Sequence, residues 1–107
     1  ALEAIWGASE SDLWSVGLRG AIVHWDGRAW TAVTSGTARA LHAVWGSAAT
    51  DVWAVGDEGT VLHWDGRAWS AVNLGVTRSL YDVWGRDAND VWIVGDGGTV
   101  RHLSPEG

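Results

Sequence analysis

Apolar residues in this chain fall into short runs, broken every 8–10 residues by turn signals, and the pattern then starts again. The middle copy shows the beat. Leu41-His42-Ala43-Val44-Trp45-Gly46 is a first apolar run, and Ser47 to Thr50 is a small polar link. Asp51-Val52-Trp53-Ala54-Val55-Gly56 is a second run, followed by the tight-turn sequence Asp57-Glu58-Gly59. Thr60 to Trp64 is a third run, and Arg67 to Val72 is a fourth. Between these last two stands Asp65-Gly66, which predicts a two-residue type I′ hairpin with both residues at φ > 0. Asn73 to Ser79 is the longer connection to the next copy. The runs are β-branched and aromatic, with no sustained i, i+3, i+4 periodicity, so four short antiparallel strands per copy are predicted and no helix.

The period is 39 residues: Trp6, Trp45 and Trp84 are in register, as are Trp14, Trp53 and Trp92, then Trp25 and Trp64, then Trp30 and Trp69. The copies span residues 2–40, 41–79 and 80–107. A fixed period of this size marks a repeat architecture. Strands apolar on both faces need cover on both faces. Sheets stacked face to face around an axis supply it, which predicts an all-β fold of β-propeller blades, one sheet per copy. The third copy reaches only Leu80–Trp84, Asp90–Val94 and Thr99–Leu103 before Ser104-Pro105-Glu106-Gly107, so 11 strands are expected and its outermost strand is missing. Closed propellers hold about four to eight blades. The expectation is therefore self-association, with a homodimer supplying six blades. Arg101, where the other copies carry Val23 and Leu62, fits a charge placed on an edge strand.

Val44-Trp45-Gly46, the stretch Asp51 to Thr60, and His63-Trp64-Asp65-Gly66-Arg67-Ala68-Trp69 resemble the tryptophan-rich repeats of bacterial β-propeller proteins of the kind abundant in myxobacteria. The Val55-Gly56-Asp57-Glu58-Gly59-Thr60 stretch and the later Asp-Gly are also similar to Asp-box-type propeller repeats, such as those of photosystem-assembly factors. Trp64 stands where an Asp-box carries Ser or Thr. The resemblance covers the whole chain and implies blade architecture. It also implies a secreted or periplasmic location.

The net charge of −6 argues against nucleic acid or an anionic membrane surface as partner. There is no cysteine, which excludes disulfides and thiolate metal sites, and no apolar run approaches the roughly 18 residues of a membrane span. No nucleophile elbow or assembled triad is visible in the sequence, so the chain is expected not to be an enzyme and to need no cofactor or metal.

Two groups of residues are candidate sites. The first is the repeated unit Trp-Asp-Gly-Arg-Ala-Trp, with Asp26, Arg28 and Trp30 in copy one and Asp65, Arg67 and Trp69 in copy two. Exposed indoles stack on sugar rings, so equivalent shallow sites between blades would make a lectin-like module that binds glycans. The other tryptophans are expected to pack between blades. The second group lies where the copies disagree. Glu3, His42, Tyr81 and Asp82, with Arg39 and Arg78 just before, would gather with Arg19, Asp57, Glu58 and Asp96 at one end of the propeller. Mixed charge around a central opening suits a polar ligand. His24, His63 and His102 repeat in register with Asp12, Asp51 and Asp90, which predicts hydrogen bonds within each blade to strand or turn backbone. Asp87 to Asp90 lacks the full ligand series of a calcium loop and reads as turn capping. The expected function is a non-enzymatic binding module with carbohydrate as its ligand. The alternative is a structural or protein-interaction scaffold, an engineered or evolutionary propeller fragment that self-assembles without a ligand.

Overall fold

The structure, a computed structural model, describes residues 2–87 and 90–103. The first sheet is β1 (Leu2–Ser9), β2 (Asp12–Gly17), β3 (Ile22–Trp25) and β4 (Trp30–Ala32), in that order. The second is β5 (Leu41–Ala48), β6 (Asp51–Gly56), β7 (Val61–Trp64) and β8 (Trp69–Ala71). The third is β9 (Leu80–Asp87), β10 (Asp90–Gly95) and β11 (Val100–Leu103). Every pairing is antiparallel, and the register repeats from sheet to sheet: Trp6 opposite Trp14, Trp45 opposite Trp53, Trp84 opposite Trp92. This is the predicted arrangement of β-propeller blades. Residues 104–107, which follow the eleventh predicted strand, lie outside the described residues, as do residues 88 and 89 of the predicted acidic turn.

Successive residues of a strand point to opposite faces, and here both faces find cover. On the middle sheet Leu41, Val44, Val52, Ala54 and Leu62 face the first sheet and pack with Trp14, Val16 and Ile22. Ala43, Val55 and Val61 point the other way and pack with Leu80, Val83, Val91 and Ile93 of the third. That is why the middle copy shows no clean apolar–polar alternation. Leu41 and Leu80 are fully buried, and each such side chain contributes about 1.5–3 kcal/mol of apolar burial.

Two kinds of turn shape the blades. After β2, β6 and β10 the chain makes a single tight 3-10 turn with a left-handed residue in its middle: Arg19 (φ 61°), Glu58 (φ 56°) and Gly97 (φ 65°). The predicted turn at Asp57-Glu58-Gly59 is therefore present, with positive φ beginning one residue earlier, at a glutamate. The Asp-Gly turns correct the sequence reading. Trp64 pairs with Trp69, leaving a four-residue loop rather than a two-residue one. Gly66 has φ 99°, whereas Asp65 is not at positive φ. The Asp65 carboxylate instead accepts the backbone N–H groups of Arg67 (2.8 Å) and Ala68 (3.1 Å), and Asp26 does the same for Arg28 and Ala29. Side-chain capping of this kind closes the longer loop without a type I′ geometry.

Candidate functional site

The innermost strands β1, β5 and β9 each carry a bulge one residue after their start. Leu2 pairs with Gly17 and Ala4 with Val16, so Glu3 is extra; His42 and Tyr81 are the extra residues in the other two sheets. A bulge re-aims its side chain away from the sheet face. Glu3, His42 and Tyr81 thus leave the packed faces and come together at one end of the stack, beside the 3-10 turns.

His42 is the hub. Its Nδ1 lies 3.3 Å from Glu3 Oε1 and its Nε2 lies 2.8 Å from Asp57 Oδ1. Both ring nitrogens face carboxylate oxygens, so both donate when the ring is protonated. The bond to Asp57, reinforced by Glu3, holds the His42 pKa above its ordinary value, and His42 in turn holds Asp57 below the usual carboxylate value. Ser79 Oγ donates to Asp57 Oδ1 (3.1 Å), which ties the second blade to the connection entering the third. The Tyr81 ring sits 5.4 Å from the imidazole, and its hydroxyl donates to Asp96 (3.3 Å), whose negative charge raises the phenol pKa. Arg39 pairs with Glu58 at 2.5 Å on the exposed rim. The Arg78 guanidinium lies over Gly97. One polar belt therefore crosses all three blades, with Tyr81 half-exposed at 49 %.

Most of the expected end-face set is brought together in this belt. Asp82 lies elsewhere. It follows the bulge, pairs with Val94, and occupies the sheet-face position of Ala4 and Ala43, where its carboxylate accepts the Val83 N–H.

The two Trp-Asp-Gly-Arg-Ala-Trp units are not equivalent in the structure. Trp30 is 45 % exposed and lies against Trp25. Trp69 packs edge-on against Trp14 of the preceding blade, with ring centroids 5.3 Å apart. Arg28 and Arg67 are exposed. Asp26 and Asp65 are committed to their turns, and the accepted backbone N–H groups lower both pKa values. Trp69 does border a cavity of about 510 Å³ shared with Arg39, Glu58 and Val76. A second groove of about 370 Å³ lies between the first two blades, along Asp12, His24, Asp26 and Trp64.

Sequence reasoning missed one repeated motif. The histidines bond to the in-register aspartates rather than to backbone: Asp12–His24 at 2.5 Å, Asp51–His63 at 2.6 Å and Asp90–His102 at 2.5 Å. Each imidazole also lies against a tryptophan of its own sheet, at 4.3, 4.3 and 4.1 Å for Trp14, Trp53 and Trp92. The constant separation of 12 residues in all three copies was the available signal. These Asp–His–Trp stacks knit the second strand of each blade to the third. Among the described residues no group of three or more His, Asp or Glu is arranged to hold a metal ion.

Fold and belt together define a β-propeller segment with a polar rim. No family model matches the chain, and no curated protein matches it. Solved structures do. A structure of YCF48 bound to D1 peptide superposes with a TM-score of 0.78 at 16% identity, covering 96% of this chain and 37% of that one. YCF48 from Cyanidioschyzon merolae gives a TM-score of 0.80 at 18% identity, covering 98% of this chain and 38% of that one. YCF48 is a β-propeller protein, so the likeness extends to the fold. The chain spans less than two-fifths of the length of these structures.

Proposed function

We propose that this chain is a non-enzymatic protein-interaction module that engages a peptide segment of its partner through the polar belt of Glu3, His42 and Tyr81. The observation that carries the reading is the bulge repeated in all three sheets. It costs each innermost strand a ladder position, keeps the backbone alike, and presents a different side chain each time. A packing role would favour the same side chain in each copy; a recognition role favours different ones. The belt offers a half-exposed Tyr, the residue type enriched with Trp and Arg at binding hot spots. Around it stand carboxylates and an imidazolium able to pair with backbone and side-chain groups of an extended segment. That a propeller of like fold has been solved with a peptide bound supports this class of partner over a glycan.

A displayed library of random peptides selected on the chain provides the test. Enriched peptides should lose about tenfold or more in affinity against Tyr81→Ala and His42→Ala, the loss of one hot-spot contact or more. The same peptides should bind Trp30→Ala unchanged. Enrichment of no peptide, or peptides whose binding depends on Trp30 and ignores Tyr81, would overturn the assignment.

A further inference from the structure

The repeat places an arginine beside the rim turns of the second and third blades, and the two arginines differ in what they meet. Arg39, from the connection entering the second blade, reaches the left-handed residue of that blade's turn, Glu58. Its Nε lies 2.5 Å from Glu58 Oε2. Arg78 stands at the same place one period later and reaches the left-handed residue of the third blade's turn. That residue is Gly97, and a Cβ added to it would come within 2.8 Å of Arg78 Nη1. Arg78 is exposed and, among the described residues, forms no ion pair.

The difference lies in the turn and not in the arginine. Glu58 holds φ 56°, a conformation that strains any residue with a Cβ and costs glycine little. The second blade accepts that strain and keeps a carboxylate on Arg39. The third blade relaxes it at Gly97 (φ 65°) and leaves an exposed guanidinium with no carboxylate across the turn. The chain that follows a blade comes to the other side of its turn: in the second blade the Val76 carbonyl crowds Gly59, one residue beyond Glu58. The placing of Arg78 over Gly97 is therefore set by residues 78–97 alone. Tyr81 flanks the same turn, its hydroxyl bonded to Asp96 just before Gly97. Asp96 does not bar a second anion here, since Asp57 stands in the same place beside the Arg39–Glu58 pair, its carboxylate likewise bonded into the belt.

Given the peptide-binding role proposed for the rim, on which this rests, we infer that Arg78 receives an acidic side chain, Asp or Glu, from the partner segment that also contacts Tyr81. The partner's carboxylate takes the place that Glu58 holds in the second blade. A guanidinium offers parallel N–H donors that match a carboxylate, and arginine is enriched with tyrosine at binding hot spots. The pair inside the chain shows that a carboxylate fits beside this turn, and Gly97, with no side chain, leaves room for one to arrive from outside. The partner segment is thus read by an aromatic contact at Tyr81 and a charge contact at Arg78, three residues apart on the connection and first strand of one blade.

The test takes the peptides selected on the full chain that depend on Tyr81, synthesised with amidated C-termini so that their only carboxylates are side chains. They should share an Asp or Glu at one position. Replacing it by Asn or Gln should weaken binding to the unaltered chain by about fivefold or more, and to Arg78→Gln by less than about twofold. That double-mutant cycle separates a direct pair from a change in the fold. Gly97→Glu supplies Arg78 with a carboxylate from its own chain and should weaken the same peptides by about fivefold. Circular dichroism confirms that each variant keeps its fold. A second selection on Arg78→Glu should enrich Lys or Arg at that position, a gain that damage to the fold cannot produce. Tyr81-dependent peptides with no acidic residue in common, or whose acidic residue counts equally with and without Arg78, overturn this inference and leave the peptide-binding role standing. Selection of no Tyr81-dependent peptide overturns both.

Discussion

Val61 and Val100 are the same residue at the same place in two copies, and the structure buries one and bares the other: 2% against 49% exposed. Truncation to alanine removes two methyl groups from each. At about 0.8 kcal/mol per carbon, the transfer term for Val61 is about 1.6 kcal/mol, and the cavity left between the second and third sheets brings the loss to about 2 kcal/mol. At Val100 about half of that surface already touches water and no closed cavity forms, so the loss should stay below about 0.8 kcal/mol. For a domain of this size about 1 kcal/mol moves Tm by roughly 4–8 °C. Val61→Ala should therefore lower Tm by about 8 °C or more, and Val100→Ala by less than half as much. The assay is thermal unfolding by circular dichroism. Equal losses at the two sites would refute the stacking order.

Two further outcomes follow from single side chains. His42→Gln should remove less than about 1 kcal/mol, since Asp57 is partly exposed and the pair is screened; the loss is seen in Tm against pH. The raised His42 pKa places its contribution fully below the ordinary 6.5, fading as pH rises through the raised value; the lowered Asp57 pKa places its own above the ordinary 3.8, fading as pH falls through the lowered value. A gap between wild type and variant that is the same at about pH 5 and about pH 9 would sink this account. Arg19→Gly should raise stability by about 0.5–1 kcal/mol in urea unfolding, because Arg19 holds φ 61° where the third blade uses Gly97 at φ 65°.

The strands were legible in the sequence because their signals are local: apolar runs of four to eight residues, closed by glycine or aspartate, at a fixed period. The Asp-Gly turns were misread because their closure depends on where a side chain bonds. The dipeptide alone suggests two left-handed residues, yet Asp65 caps the N–H groups of Arg67 and Ala68 and stays out of that region. Trp30 and Trp69 looked identical because their neighbours in the chain are identical. They differ because Trp69 meets Trp14 across a blade boundary, a contact between residues 55 apart that no local pattern contains. The bulges were likewise hidden. Without them Tyr81 and Asp82 read as neighbours at one end of the fold. One extra residue per strand shifts the alternation by one, so Tyr81 turns to the rim and Asp82 to the sheet face.

That one-residue shift also separates two kinds of departure from the repeat. Where the copies differ on a sheet face, the neighbouring blade constrains the change. Asp82 in place of Ala43 puts charge where an apolar partner would sit, and Arg101 in place of Leu62 stands on the edge strand, its guanidinium bonded to the Val100 carbonyl. Such changes alter what a neighbouring sheet can pack against on that face. Where the copies differ at the bulge, the side chain leaves the packed faces, and Glu3, His42 and Tyr81 meet one another on the rim, through the His42–Glu3 contact at 3.3 Å and the His42–Tyr81 ring contact at 5.4 Å. The bulge therefore separates the identity of the rim from the apolar packing of the stack and leaves the rim tied to it only by partly exposed, screened polar contacts. Substitutions at Glu3, His42 and Tyr81 change the side chains the rim presents while the apolar cores of the two internal interfaces stay intact, whereas substitutions one residue later change a packed sheet face.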